Sequence, residues 1–238
     1  QGRATRRRAD RAKIRAEAAV SLRLDAAGES LWLLPDGAVW WPAARTLFAA
    51  DLHLGKGAAF RAQGQPVPAG SSARTLARLR SLAEFHGAQR LVVLGDFWHG
   101  AEGLTPALLA DVTTFASAIE TVLVLGNHDR RIHPAGLPLR AVSGSLALGP
   151  FTAAHEPPAA GTPGFTLAGH LHPAVVIASR AGDRLRRPCF VRWPHALVLP
   201  AFGGLTGALT LHRAELARQG AEVAVLGDGE VRWLPRTA

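Results

Sequence analysis

The chain has 238 residues, 48% apolar and 19% charged, with a formal charge of +9. That length suits one large domain or two small ones with a real buried core, and that apolar fraction excludes a disordered chain. No run approaches about 18 uncharged apolar residues, so no membrane span is expected, and no stretch is built like a signal peptide. The one cysteine, Cys189, excludes an internal disulfide and fits a cytoplasmic location. Between Pro188 and Phe190 it reads as a small buried hydrophobe.

Charge is spread unevenly. Residues 1–20 hold seven Arg/Lys against two Asp/Glu, so +5 of the +9 sits in this arm. Basic arms bind nucleic acid in some proteins and are solvated tails in others. Asp10 and Glu17 interrupt the run, which argues against a targeting peptide. The division expected is an arm over 1–20 and a single domain over 21–238.

Two apolar runs, Ser30–Leu34 and Ala38–Trp41, flank Pro35-Asp36-Gly37 and predict a hairpin. Thr46–Ala50 predicts a short strand that runs into Asp51-Leu52-His53-Leu54-Gly55-Lys56. From Gly57 to Gly70 the three glycines and two prolines predict a long loop carrying Phe60, Arg61 and Gln63. Ser71 or Ser72 can cap a helix through about Phe85, with Leu76, Leu79, Leu82 and Ala83 on one face and Gly87 at its end. Leu91–Leu94 predicts a strand delivering Gly95-Asp96-Phe97-Trp98-His99. Thr105-Pro106 opens a helix to about Ile119. Thr121–Leu125 then leads to Gly126-Asn127-His128-Asp129.

Strands dominate the second half: Leu139–Val142, Ser145–Leu148, Phe151–Ala154 running into His155, and Phe165–Ala168 running into Gly169-His170-Leu171-His172. Val175–Ala178, Cys189–Trp193 and Ala196–Ala201 follow, with Arg180, Arg184, Arg186 and Arg187 expected at the turn between the first two. Arg213–Arg218 predicts a short helix, and Val223–Leu226 with Val231–Leu234 a hairpin around Gly227-Asp228-Gly229. Helices alternating with strands, then strands alone, fit one α/β domain built on two sheets with helices outside.

Five apolar runs are each followed at once by metal-ligand chemistry. Residues i and i+2 of a strand face the same side, so Asp51 with His53, and His170 with His172, can address one point. Setting His128 aside, the five ends offer two carboxylates, one amide oxygen, four imidazoles and no thiolate. Such a donor set suits Mn, Fe or Zn rather than a structural zinc knot. Seven donors are too many for one ion and fit two ions sharing a carboxylate, an arrangement that clamps a phosphate and activates water.

The set Asp-x-His, Gly-Asp, Gly-Asn-His-Asp, His and Gly-His-x-His, spanning residues 46 to 173, resembles the calcineurin-like metallophosphoesterase superfamily. The resemblance implies a four-layer αββα sandwich of two mixed β-sheets flanked by helices. It implies two divalent ions, one held by Asp51, His53, Asp96 and His172, the other by Asp96, Asn127, His155 and His170, with Asp96 between them. His128 would steady the transition state or protonate the leaving oxygen, and Asp129 would orient His128. A narrower resemblance, to the ligase-associated DNA damage response endonucleases, rests on Asp51-Leu-His-Leu-Gly-Lys56, Ala59-Phe-Arg61, Pro66-Val-Pro68, Gly95-Asp-Phe-Trp-His99, His155-Glu-Pro157 and Leu199-Pro-Ala-Phe-Gly-Gly204. It implies a bacterial, manganese-dependent phosphodiesterase acting on nucleic acid, DNA rather than RNA. It also implies an ATP-dependent DNA ligase, a helicase and an exonuclease as partners.

Candidate substrate contacts are Lys56, Arg61, His99, Arg130 and Arg131. His99 is expected at the pocket rim and not on a metal. Phe97 and Trp98 are expected in the core, the Arg180 to Arg187 cluster on a solvated hairpin, and His86, His133, His195 and His212 outside the site. The competing functions are hydrolysis of a small phosphodiester or nucleotide-lipid pyrophosphate, and a non-catalytic scaffold in a repair complex.

Overall fold

The computed structural model describes residues 21–132, 134–178 and 182–235; the basic arm, His133 and Arg180 lie outside them. The first sheet contains β1 (Leu22–Ala26), β2 (Glu29–Leu33), β3 (Val39–Trp41), β4 (Thr46–Ala49), β5 (Arg90–Leu94), β6 (Glu120–Val124) and β7 (Arg140–Val142), in that order. Strands β1 to β4 pair antiparallel through tight turns, and β4 to β7 pair parallel. The parallel crossovers are carried by α1 (Lys56–Ala62) and α2 (Ser71–His86) between β4 and β5, and by α3 (Pro106–Ala118) between β5 and β6.

The second sheet contains β8 (Ser145–Leu148), β9 (Phe151–Ala154), β10 (Phe165–Ala168), β11 (Pro173–Ala178), β12 (Arg184–Trp193), β13 (Ala196–Val198) and β14 (Leu209–Thr210), in the order β14-β11-β12-β13-β10-β9-β8. After α4 (Arg213–Arg218), β15 (Glu222–Leu226) and β16 (Val231–Trp233) extend it from β12. Here β9, β10 and β13 run parallel.

Burial divides the molecule into the expected four layers. One apolar cluster, including Leu31, Phe48, Val92, Phe151, Phe165, Phe190 and Leu197, fills the space between the two sheets. A second, including Leu76, Leu79, Val93, Val112 and Phe115, lies between the first sheet and α2 with α3. A third packs Val175, Cys189 and Val191 of the second sheet against Leu216 of α4. The middle strands β4, β5 and β6 have apolar residues on both faces, which explains their uninterrupted apolar runs. Phe97 and Trp98 are core residues at 1% exposure each, and burial pushes the Cys189 thiol up to about 12, leaving it inert.

Four local expectations change. The stretch expected as a loop from Gly57 begins as α1, whose start is the left-handed Gly55; a glycine inside the helix hides it from a propensity reading. Gly70 rather than a serine occupies the N-cap of α2, while the Ser72 hydroxyl accepts from the amide of Gly55. Arg184, Arg186 and Arg187 lie within β12 rather than in a turn. Strand β1 comes before the first strand expected, and the alternation of Leu22, Leu24 and Ala26 accounts for it.

Phe190 has no exposed surface at the centre of the sandwich. Phe190→Ala is expected to cost about 3–5 kcal/mol of unfolding free energy in a urea titration.

Candidate metal centre and active site

The parallel strands of both sheets end at one edge of the sandwich. β4 leads into Asp51 and His53, β5 into Asp96, β6 into Asn127 and His128, β9 into His155, and β10 into His170 and His172. A parallel bridge between Ala50 and Ala201 joins the two sheets there, and the segment after β13 runs alongside as Phe202 and Gly203 donate to the carbonyls of Ala50 and Asp51.

Backbone geometry turns these side chains inward. Among the described residues seven non-glycine residues have positive φ, and five of them are Asp51, His53, Asp96, His170 and His172. Each left-handed residue costs about 1–2 kcal/mol, so the strain is concentrated where the polar side chains converge. Two glycines permit the closest approaches. A Cβ on Gly95 would overlap the His155 ring, and one on Gly126 would overlap the Asp96 carboxylate.

The donors form two groups around Asp96. In the first, one donor atom from each of Asp51, His53, Asp96 and His172 lies within 4.8 Å of the others. The two Nε2 atoms of His53 and His172 are 3.4 Å apart, Asp51 Oδ1 is 3.3 Å from His172, and Asp96 Oδ2 is 3.8 Å from His53. In the second, His155 Nε2 lies 2.9 Å from Asn127 Oδ1, 3.0 Å from His170 Nδ1 and 3.5 Å from Asp96 Oδ1. The two oxygens of Asp96 therefore face different groups.

Hydrogen bonds to the far side of the His155 and His172 rings settle which of their nitrogens faces inward. A carbonyl can only accept, so Nδ1 of His155 donates to Leu94 O at 3.0 Å, and Nδ1 of His172 to Gly207 O at 3.1 Å. Each Nε2 then presents a lone pair to other acceptors. Main-chain amides hold the carboxylates: His170 N donates to Asp51 and His128 N to Asp96 Oδ1. Burial pushes His53 down to about 2, with the His172 and His128 rings adding to the effect, so its ring is neutral and its lone pair available. Burial also disfavours the charged form of His172, but the Asp51 carboxylate, the Gly207 carbonyl and the Asp96 carboxylate together more than offset it, so its pKa is raised. Asp51, His53, Asp96 and His155 are buried while Asn127 and His170 reach the surface; buried acceptors crowded against acceptors are costly without a cation between them, and one proton on His155 cannot serve three neighbours. The donor set present fits divalent metal ions.

His128 stands at the open side. Its Nδ1 donates to the carbonyl of His99 at 2.8 Å, and its Nε2 faces Asp96 Oδ2 at 4.0 Å. The ring is 38% exposed and stacks on His99, whose ring also meets Phe60 edge-on. Asp129 was expected to orient His128, but its fully buried carboxylate accepts instead from the amides of Gly126, Phe97 and Trp98. The carbonyl of His99 holds the ring. Burial raises the Asp129 pKa although its three amide bonds oppose the shift. Asp129 thus ties the loop after β6 to the loop after β5.

The candidate substrate contacts divide. Lys56 begins α1 beside the site, its Nζ 5.6 Å from the Phe60 ring, and burial lowers its pKa. His99 lies at the rim, with one ring nitrogen within 4.8 Å of nitrogens of His53 and His128. Arg61 points into its own loop, donating to Val67 O and Pro68 O. Arg130 forms an exposed ion pair with Glu156 at 3.8 Å, and Arg131 is exposed. Sequence reasoning missed the carbonyls of Leu94, His99 and Gly207 that set the ring orientations; a backbone carbonyl leaves no trace in residue identity.

A two-sheet sandwich whose parallel strands bring this donor set to one edge defines a metal-dependent hydrolase. The chain belongs to the calcineurin-like phosphoesterase family, whose profile matches residues 44–179. Among solved structures it resembles the crystal structure of the nuclease MPE from Pseudomonas putida, with a TM-score of 0.74 and 36% identity over 90% of this chain and 100% of that one. Yfce, a phosphoesterase from E. coli, aligns at 17% identity over 81% of this chain and 99% of its own, with a TM-score of 0.42. No curated protein matches the chain. Among the described residues no helix is long and apolar enough to cross a membrane.

With Asp96 facing both donor groups, Asp96→Ala is expected to abolish bound metal, while His172→Ala leaves the second group intact; elemental analysis of manganese-loaded protein reads the difference. Asp129→Ala strands three buried amides, and at about 1–3 kcal/mol for each unpaired group thermal unfolding should show a large loss of stability.

Proposed function

We propose that this protein is a metal-dependent endonuclease that hydrolyses nucleic-acid phosphodiester bonds, with DNA as the favoured substrate. One observation carries the reading: alignment with a Pseudomonas putida nuclease over 90% of this chain and 100% of that one at 36% identity.

Asp51, His53, Asp96 and His172 would hold one ion, and Asp96, Asn127, His155 and His170 the other. Divalent cations bound there supply a nucleophile at neutral pH and charge neutralisation for the phosphoryl oxygens. The absence of thiolates and the mixture of carboxylate, amide and imidazole suit manganese, with iron or zinc as the other candidates.

The chain's own residues do the rest. His128 is fixed through Nδ1, so its free Nε2 reaches the open side of the site. In its imidazolium form that nitrogen can donate to a phosphoryl oxygen or supply a proton to the departing ester oxygen. Asp96, held by the amide of His128, couples the position of that ring to the metal-binding carboxylate. Lys56 and His99 line the same mouth and can take a non-bridging oxygen of the phosphodiester. Asp129 acts as a positioning residue through the two loops it joins.

The resemblance to ligase-associated endonucleases supports a role in bacterial DNA repair beside an ATP-dependent DNA ligase, a helicase and an exonuclease, in the cytoplasm. The manganese-loaded protein is expected to nick single-stranded circular DNA, EDTA to stop it, and Asp96→Ala or His128→Ala to reduce cleavage by at least about 100-fold. Turnover of bis(p-nitrophenyl) phosphate with every nucleic acid left intact would replace this reading with a small-molecule phosphodiesterase.

A further inference from the structure

A two-stranded ribbon leads away from the candidate metal centre. β11 begins one residue after His172 and β12 returns antiparallel to it, with Ala174 opposite Pro188, Val176 opposite Arg186 and Ala178 opposite Arg184. Side chains alternate along a strand, so Arg184, Arg186 and Pro188 share one face. The next residue on that face, Phe190, is buried between the sheets. The opposite face carries Cys189, which packs with the α4 layer, and Arg187, which pairs with Asp228 at 3.0 Å.

The two faces differ in charge balance. Arg187 has its carboxylate, whereas neither Arg184 nor Arg186 forms an ion pair among the described residues. Arg186 donates instead to the carbonyl of Ala208. Ala208 lies on the rim of a groove of about 290 Å³ whose lining includes His172, Pro188, Gly203, Gly207 and Arg78. On the far bank Arg78 is fixed by Asp36 and by the carbonyl of Phe202, and its guanidinium lies 4.3 Å from the Phe202 ring.

Register gives the ribbon a scale. Arg186 lies opposite the fourth residue after His172 and Arg184 opposite the sixth. At roughly 3.3 Å per residue, they stand about 13 and about 20 Å along the strand from the candidate ligand. Unpaired guanidiniums on one face at two successive steps, continuous with a glycine-lined groove that ends at a metal ligand, match a chain of phosphates better than one small anion.

We propose that this groove and the Arg184/Arg186 face of the ribbon form a track for the phosphodiester backbone of a single nucleic-acid strand flanking the scissile bond. The proposal rests on the nuclease reading above. The track binds substrate outside the chemical step, so its contribution grows with strand length and vanishes for a substrate with no flanking phosphates.

The test compares the manganese-loaded wild type with the R184Q/R186Q double variant on a single-stranded oligonucleotide and on bis(p-nitrophenyl) phosphate, at several salt concentrations. Loss of two phosphate contacts is expected to raise KM for the oligonucleotide roughly tenfold and to make its log–log salt slope shallower by about 1.4, with turnover of the small diester unchanged. R184K/R186K should recover most of the oligonucleotide affinity. Wild-type KM and salt slope in R184Q/R186Q would overturn the track and leave the nuclease reading standing. Equal loss on both substrates would also overturn it, because the residues would then act on the chemistry or the fold. A wild type that turns over the small diester and cuts no nucleic acid would remove the nuclease reading itself, and the track with it.

Discussion

Asp96 presents its two carboxylate oxygens to two separate groups of donors, and the arrangement of the polar edge follows from that. A buried carboxylate facing imidazole and amide lone pairs is costly unless something positive sits among them. The protein relieves this only in part with its own side chains, the carboxylates of Asp51 and Asp96 favouring the charged form of His172. Burial holds His53 in its neutral form, with the neighbouring imidazoles and Lys56 adding to the effect. The interior is shaped for metal ions, and the same crowding makes a folded, metal-free site intrinsically strained.

Backbone conformation is the other half of that constraint. Asp51, His53, Asp96, His170 and His172 all adopt left-handed φ values immediately after strands. A strand continued in regular geometry would send alternate side chains away from the edge. The left-handed turn aims them at a common point, and the closely packed glycines at 95 and 126 make room for the His155 ring and the Asp96 carboxylate. The sandwich supplies the rigidity that offsets this strain. β4, β5 and β6 are buried on both faces and locked in register, so their ends cannot relax independently.

Around this centre the surrounding groups have distinct tasks. Carbonyls of Leu94 and Gly207 set the tautomers of His155 and His172, and the carbonyl of His99 fixes His128 with its free nitrogen outward. Asp129, between the catalytic candidate and the solvent-facing Arg130, is a structural tie rather than a partner of the His128 ring. Lys56 and His99 line the mouth, while Arg61 is committed to its own loop.

The sequence alone determined which strands exist in the interior and what chemistry follows each one. Apolar runs such as Leu91–Leu94 and Thr121–Leu125, too short for helices and bounded by glycine, read as buried strands, and the Asp, Asn and His that follow them then stand at strand ends. It also determined the donor types, because hard and borderline ligands without thiolate are a matter of composition. Tertiary structure decided everything that depends on orientation across long separations: that Asp129 serves backbone amides and not His128, that Gly55 and a glycine-containing turn begin a helix, and that Arg184 and Arg186 share one strand face while Arg187 finds Asp228. These outcomes turn on which way a backbone carbonyl or a pleat points. That direction is set by the packing of two sheets against each other and is not carried by the identity of any one residue.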